Sequence, residues 1–213
     1  MRAPRPFLML AAAAGVCALI ASGGCLFSPD TPPNVDPPPQ PTKYIWPGAP
    51  DSLMYNFRTA YTSMDIDHYR EALHPDFRFI FNQLDVERLN LPSSFETFAD
   101  DITSTANMFS GNSIVKPDQT TVPGVSAINI QVLDRTEPWV DEGSDNPDFP
   151  NTQRATFNVA MSLARVSNAT TLLISGQQMF YVSYKDSTHN GLPARYYQLR
   201  GQRDLTSITP GGK

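Results

Sequence analysis

The stretch Leu53 to Phe81, LMYNFRTAYTSMDIDHYREALHPDFRFIF, decides how this chain folds, because its apolar period changes partway along it. Leu53, Met54, Phe57, Ala60, Tyr61 and Met64 recur at three- and four-residue spacing, which predicts a helix over about 51–64 with one buried face. Asp65 is an N-cap residue type. Behind it Ile66, Tyr69, Ala72 and Leu73 repeat the period and stop before Pro75, a short second helix. The period then drops to two: Phe77, Phe79 and Phe81 alternate with Arg78 and Ile80, a strand with one aromatic face.

Toward the C-terminus, Ser93 followed by Glu96 reads as a capping box. It opens a third helix whose stripe is Phe95, Phe98, Ala99, Ile102, Ala106 and Phe109, closed by Gly111. From there the period is two. Ile128, Ile130 and Val132 form one strand face, and Phe157, Val159, Met161 and Leu163 another. A third is Phe180, Val182 and Tyr184, with Met179, Tyr181 and Ser183 on the reverse, and Arg195 to Leu205 ends the set. Loops are expected at 142–150, 167–170 and 185–193. Helices gathered first and long antiparallel strands last make an α+β domain whose sheet covers the helices on one face.

That order, and the passage Leu73-His74-Pro75-Asp76-Phe77-Arg78-Phe79 into the first strand, resembles the nuclear-transport-factor-2-like superfamily, as does the closing YYQLRGQRDL of Tyr196 to Leu205. Ketosteroid isomerase, scytalone dehydratase and the polyketide cyclases share this cone-shaped fold. The resemblance implies a conical pocket between a curved antiparallel sheet and the helices, with Phe57, Tyr61, Phe77, Phe79, Phe98, Phe157, Phe180 and Tyr197 as candidate lining. A ligand in such a pocket would be small and apolar or aromatic. The alternative is that these side chains fill the core, the default for large apolar residues.

Working outward toward the N-terminus, Met1 to Cys25 has a basic start at Arg2 and Arg5, an apolar run from Phe7 to Ala21, and Ser22-Gly23-Gly24 before the cysteine. This resembles a bacterial lipoprotein signal, with Ser22 where that family prefers Leu. The resemblance implies cleavage after residue 24 and a lipid-bearing Cys25 as the membrane anchor. Ordinary secretion and an uncleaved anchor are the other readings. Leu26 after the cysteine favours the outer over the inner membrane by the same analogy. Ser28 to Pro50 holds nine of the 20 prolines and reads as an extended spacer. Tyr44, Ile45 and Trp46 at its end either pack on the domain edge or dip into the lipid interface. The expected organisation is therefore a signal over 1–24, lipidated cysteine and linker over 25–50, the domain over 51–207 and a tail over 208–213.

Loss of Arg2 and Arg5 with the signal leaves 14 of the 16 basic residues against 21 acidic ones, taking the formal charge from −5 to −7. Such a surface repels phosphate backbones, which disfavours nucleic acid as a partner. The two cysteines, Cys17 and Cys25, leave the mature chain no internal disulfide. Three scattered histidines and no spare thiol give no metal-ligand cluster, and no cofactor motif is present. The acids of Asp141-Glu142-Gly-Ser-Asp145-Asn-Pro-Asp148 miss the spacing of a calcium loop and read as a solvated loop.

Asn168-Ala169-Thr170 fits a glycosylation acceptor, which means little in a bacterial envelope protein. For acid-base chemistry, His68, His74, Asp76, Asp85 and Tyr61 are the candidates near the right elements; no pair has a spacing that forces a dyad, and no residue is assigned a catalytic role. The sequence points to a non-catalytic module that binds a small apolar ligand or a protein partner. A homodimer through the outer sheet face (Met179, Tyr181, Tyr196, Ala160) stands second, and an isomerase, dehydratase or cyclase third.

Overall fold

The computed structural model describes residues 44–89, 91–115, 119–166 and 171–206. The expected signal, Cys25 and the expected linker up to residue 43 lie outside the described residues, as does the expected loop at 167–170 with its Asn168 acceptor pattern.

Helix α1 (Pro50–Ser63) starts with proline at its first turn, where no amide donor is needed, and buries Leu53, Met54, Phe57 and Ala60. It ends at Met64, which takes the left-handed conformation (φ 53°). There the Asp65 amide donates to the Ala60 carbonyl and the Met64 amide to that of Tyr61, the Schellman pattern. Asp65 then caps α2 (Ile66–Ala72) as expected, accepting from the His68 amide at 3.1 Å. The strand β1 (Leu73–Ile80) follows directly.

One element is added to the expected order and one local expectation is corrected. A short helix, α3 (Gln83–Leu89), lies between β1 and β2 (Phe95–Thr97). The third expected helix, α4 (Phe98–Phe109), is capped by Thr97 and Asp100 rather than by Ser93 and Glu96. Both pairs have capping-box spacing. The segment 95–97 pairs with β1, however, so Glu96 sits opposite Phe79 in the sheet and the helix begins only after it. Ser93 instead accepts from the Phe95 amide in a tight turn.

A short hairpin, β3 (Ile114–Val115) with β4 (Thr121–Val122), leads into the large strands β5 (Val125–Arg135), β6 (Val140–Asp141), β7 (Gln153–Arg165), β8 (Thr171–His189) and β9 (Leu192–Asp204). The sheet runs β2-β1-β9-β8-β7-β5, with β6 also on β7. It is mixed: all pairs are antiparallel except β1 with β9. The expected 185–193 loop is almost all strand. His189 pairs with Leu192 across Asn190-Gly191, whose positive φ angles (52° and 79°) suit a two-residue hairpin turn.

Inward-facing Ala155, Phe157, Val159, Phe180, Val182, Tyr197 and Leu199 pack under α1 and α2 to form the core. The architecture is the α+β cone that the sequence resemblance implies: N-terminal helices on one face of a curved sheet.

Candidate functional site

The eight candidate lining residues share one core: Phe57, Phe77, Phe157, Phe180 and Tyr197 are buried in it, and Tyr61, Phe79 and Phe98 pack against it. Phe57 packs edge-on to Phe180 (centroids 5.7 Å apart), Phe180 to Phe157 (5.2 Å), and Phe57 leans on Tyr61 (5.2 Å). Phe77 and Tyr197 are buried, Tyr197 beside Tyr184. Phe98 is half-buried against the core, and Phe79 packs against Phe81. Cys25 lies outside the described residues.

The interior also holds a polar set that the periodicity did not reveal. Tyr61 meets Tyr69 (5.2 Å) and Phe109 (5.3 Å) edge-on, and the Tyr69 hydroxyl donates to Asp101 Oδ2 at 2.7 Å. Asp101 is only 8% exposed, and burial pushes its carboxyl up to about 6 although the Tyr69 hydrogen bond pulls the other way. Glu96 on β2 is pushed up to about 7, first by burial and then by the charges of Asp101 and Asp100. Burial raises both Tyr61 and Tyr69, so both stay neutral donors. Asp101 and Thr105 occupy the buried face of α4, where a count of apolar residues registers a gap.

Of the proposed acid-base candidates, only Tyr61 belongs to this cluster. His68 pairs with Asp65 (2.7 Å) on the surface and stacks on Tyr44 with ring centroids 3.7 Å apart. His74 stands 3.8 Å from Asp76, which is exposed, and Asp85 pairs with Arg88 within α3. The interior acid is thus held by a tyrosine and enclosed among interlocked rings. This arrangement can hold a proton at Asp101 but offers it little access to a solute.

The other surface readings resolve as follows. Tyr44 and Trp46 pack on the domain: the Tyr44 hydroxyl donates to Asp65 (3.0 Å), and Trp46 stacks on His189 while its indole donates to the Arg195 carbonyl. Arginines pin the acidic loop to the sheet at two of its four acids, while Asp141 and Asp145 are exposed as the sequence suggests. Glu142 pairs with Arg154, Asp148 with Arg203 at 2.6 Å, and the Arg78 guanidinium donates to the Asp148 carbonyl. At its end Phe149, 1% exposed, stacks on Tyr181 (4.2 Å). Two of the four outer-face residues considered for a homodimer, Tyr181 and Tyr196, are therefore covered by the chain's own Phe149 and Trp46. Among the described residues, no group of three His, Cys, Asp or Glu is placed to hold a metal ion.

No protein-family model matches the sequence, and no curated protein matches it. Solved structures do. An NTF2-like protein of Rhodospirillum rubrum is similar at 8% identity, over 75% of this chain and 99% of that one, with a TM-score of 0.42. An NTF2-like superfamily protein of Salmonella enterica serovar Typhimurium shares 11% identity over 76% of this chain and 91% of its own, with a TM-score of 0.43. A polyketide-cyclase-like protein of Pseudomonas putida shares 13% over 74% and 90%, with a TM-score of 0.38. The similarity lies in the arrangement of elements, and no residue role passes from those proteins to this one.

Two open pockets mark the surface of the domain. One, of about 240 Å³, lies where the linker joins, between Tyr44, Trp46, His68 and Tyr196. The larger, of about 500 Å³, lies between β1, Arg200 of β9 and the start of α4.

Proposed function

We propose that this chain is a bacterial envelope lipoprotein, anchored through acylated Cys25 and sorted to the outer membrane, whose domain is a non-catalytic binding module. The proline-rich segment holds the module off the bilayer. The module engages its small ligand or protein partner at its surface, and the observation that carries this reading is the enclosed interior. The rings of Phe57, Tyr61, Tyr69 and Phe109 interlock, and the interior acid Asp101 is satisfied by Tyr69. Close-packed rings leave an acid-base pair no substrate to act on.

Intact mass measurement of the membrane-extracted protein tests the anchor. The expected result is a chain beginning at Cys25 with the added mass of acyl groups, and release of Cys25→Ser from the membrane fraction. Native mass spectrometry tests the closed interior. A stoichiometric apolar ligand that survives gentle extraction and is lost on Phe180→Trp would show a hollow cone and overturn the surface-binding part of the reading. A homodimer is the second reading, favoured by Leu173, which is 72% exposed on β8; a monomeric mass by light scattering would remove it.

A further inference from the structure

The only parallel pair of the sheet, β1 with β9, is broken at one place. Leu73 pairs with Leu199 and Arg78 with Gly201, so His74 to Phe77 stand opposite Arg200 alone. On the other side of β9, Val182 pairs with Leu199 and Tyr181 with Gly201, which leaves Arg200 as the extra residue of that ladder. Arg200 is thus a bulge residue against β8 and faces a four-residue bulge of β1. Bulges turn a side chain away from the regular alternation and end local pairing. The larger pocket, of about 500 Å³, opens at this breach, and Arg200 and Arg78 both line it.

The charges around the breach do not cancel. Its two lining acids are Asp76 and Asp148. Asp148 Oδ2 is taken by Arg203 at 2.6 Å, while Arg78 stands 3.9 Å from Oδ1. Arg200 stands 3.6 Å from Asp76, which is 68% exposed. The two lining arginines match the two lining acids in number, and Arg203 behind them adds a third guanidinium; Arg200 and Arg78 stand beyond hydrogen-bond distance of their carboxylates, although Arg78 donates to the Asp148 carbonyl. This cationic excess occurs on a chain of formal charge −5. Pro75 and Phe98 give the pocket an apolar side, and its volume lies in the range of small-molecule sites.

We propose that the breach between β1 and β9 is a binding site for a small organic carboxylate with an apolar body, its carboxylate held by Arg200 and Arg78. Guanidinium groups suit the planar, two-oxygen geometry of that ligand. Asp76 competes with the ligand for Arg200. The site shares Phe77 and Phe98 with the expected cone lining, and its existence does not depend on the Cys25 anchor.

The test uses the full chain in a non-ionic detergent, with benzoate as probe and benzamide as its neutral isostere, read by ligand-observed NMR titration. Benzoate is expected to bind saturably, at least about tenfold tighter than benzamide, and to weaken as salt is raised. Arg200→Gln should weaken benzoate about tenfold or more, and Asp76→Asn should tighten it severalfold by freeing Arg200. Equal binding of benzoate and benzamide, absence of saturation up to about 10 mM, or binding that neither variant alters would overturn the proposal. The two variants act in opposite directions, so general destabilisation cannot imitate the expected pattern.

Discussion

Tyr69 on α2 and Asp101 on α4 are joined by a buried hydrogen bond of 2.7 Å, and this bond ties the second helix to the fourth across the interior. The Asp101 carboxyl titrates at about 6 in the folded protein, raised chiefly by burial. An acid raised in this way binds its proton more tightly when folded, so the stability it confers is fullest at low pH and declines as pH rises from about 4 to about 6. Glu96, at about 7, extends the decline toward neutrality. His74, lowered by burial, acts in the opposite sense, but equally in wild type and variant. Asp101→Asn keeps an acceptor for Tyr69 and removes the charge. Relative to wild type it should gain on the order of 2–3 kcal/mol between pH 4 and pH 7.5. Denaturant unfolding at the two pH values measures this, and a gain of zero would mean that Asp101 titrates normally.

The opening helices and the first strand were legible because their signals are local: a stripe of large apolar residues, an Asp N-cap, and a switch to period two at Phe77. The Asn190-Gly191 turn carried an equally local signal, which the surrounding polar residues obscured. The start of α4 was misplaced because two capping-box spacings overlap, and pairing of 95–97 with β1 decides between them. The polar interior was not legible. Asp101 and Thr105 occupy core positions of α4 only because Tyr69 arrives from α2 to satisfy the carboxylate, and sequence spacing does not encode that meeting. Nor does any periodicity announce that Arg200 is a bulge residue, since the bulge exists only relative to β8.

Asp65 serves three partners: the His68 amide, the His68 ring and the Tyr44 hydroxyl. Burial opposes its ionisation, but these donors together hold its carboxyl below the ordinary value, so its contribution is present at neutral pH and lost as pH falls through the acidic range. Asp65→Ala should cost about 1–2 kcal/mol at pH 7 through the lost cap, and less at pH 3. It should also loosen Tyr44 and so speed proteolysis between residues 44 and 50. Unchanged cleavage would show that Trp46, the Asn56 side chain on Ile45 and the Tyr197 amide on Pro47 hold this segment without Tyr44.

Met64 closes α1 in the left-handed conformation (φ 53°), which is unfavourable for a residue with a β-carbon. Met64→Gly should therefore stabilise the domain by about 0.5–1 kcal/mol, offset in part by the lost side-chain contacts. A rise in the denaturant midpoint with an unchanged slope checks it.

Phe149 and Gly201 form a lock between the acidic loop and the outer sheet face. A β-carbon at position 201 would lie 2.1 Å from the Phe149 ring, and because Gly201 is buried in β9 its backbone has little freedom to yield. Phe149→Ala should cost about 3–5 kcal/mol by uncovering Tyr181 and leaving a cavity. Gly201→Ala should cost a comparable amount by expelling the ring. The two changes act on one contact, so the double variant should be no less stable than either single one, and a double-mutant cycle should return a coupling of more than about 2 kcal/mol. Additive losses would mean that the loop is held by Asp148 with Arg203 and by Glu142 with Arg154 independently of the aromatic seat. The same cycle bears on the breach, because Phe149 follows Asp148, which lines the pocket. Phe149→Ala should therefore alter benzoate binding through both Asp148 and Arg78, whose guanidinium lies 5.3 Å from the centre of the Phe149 ring.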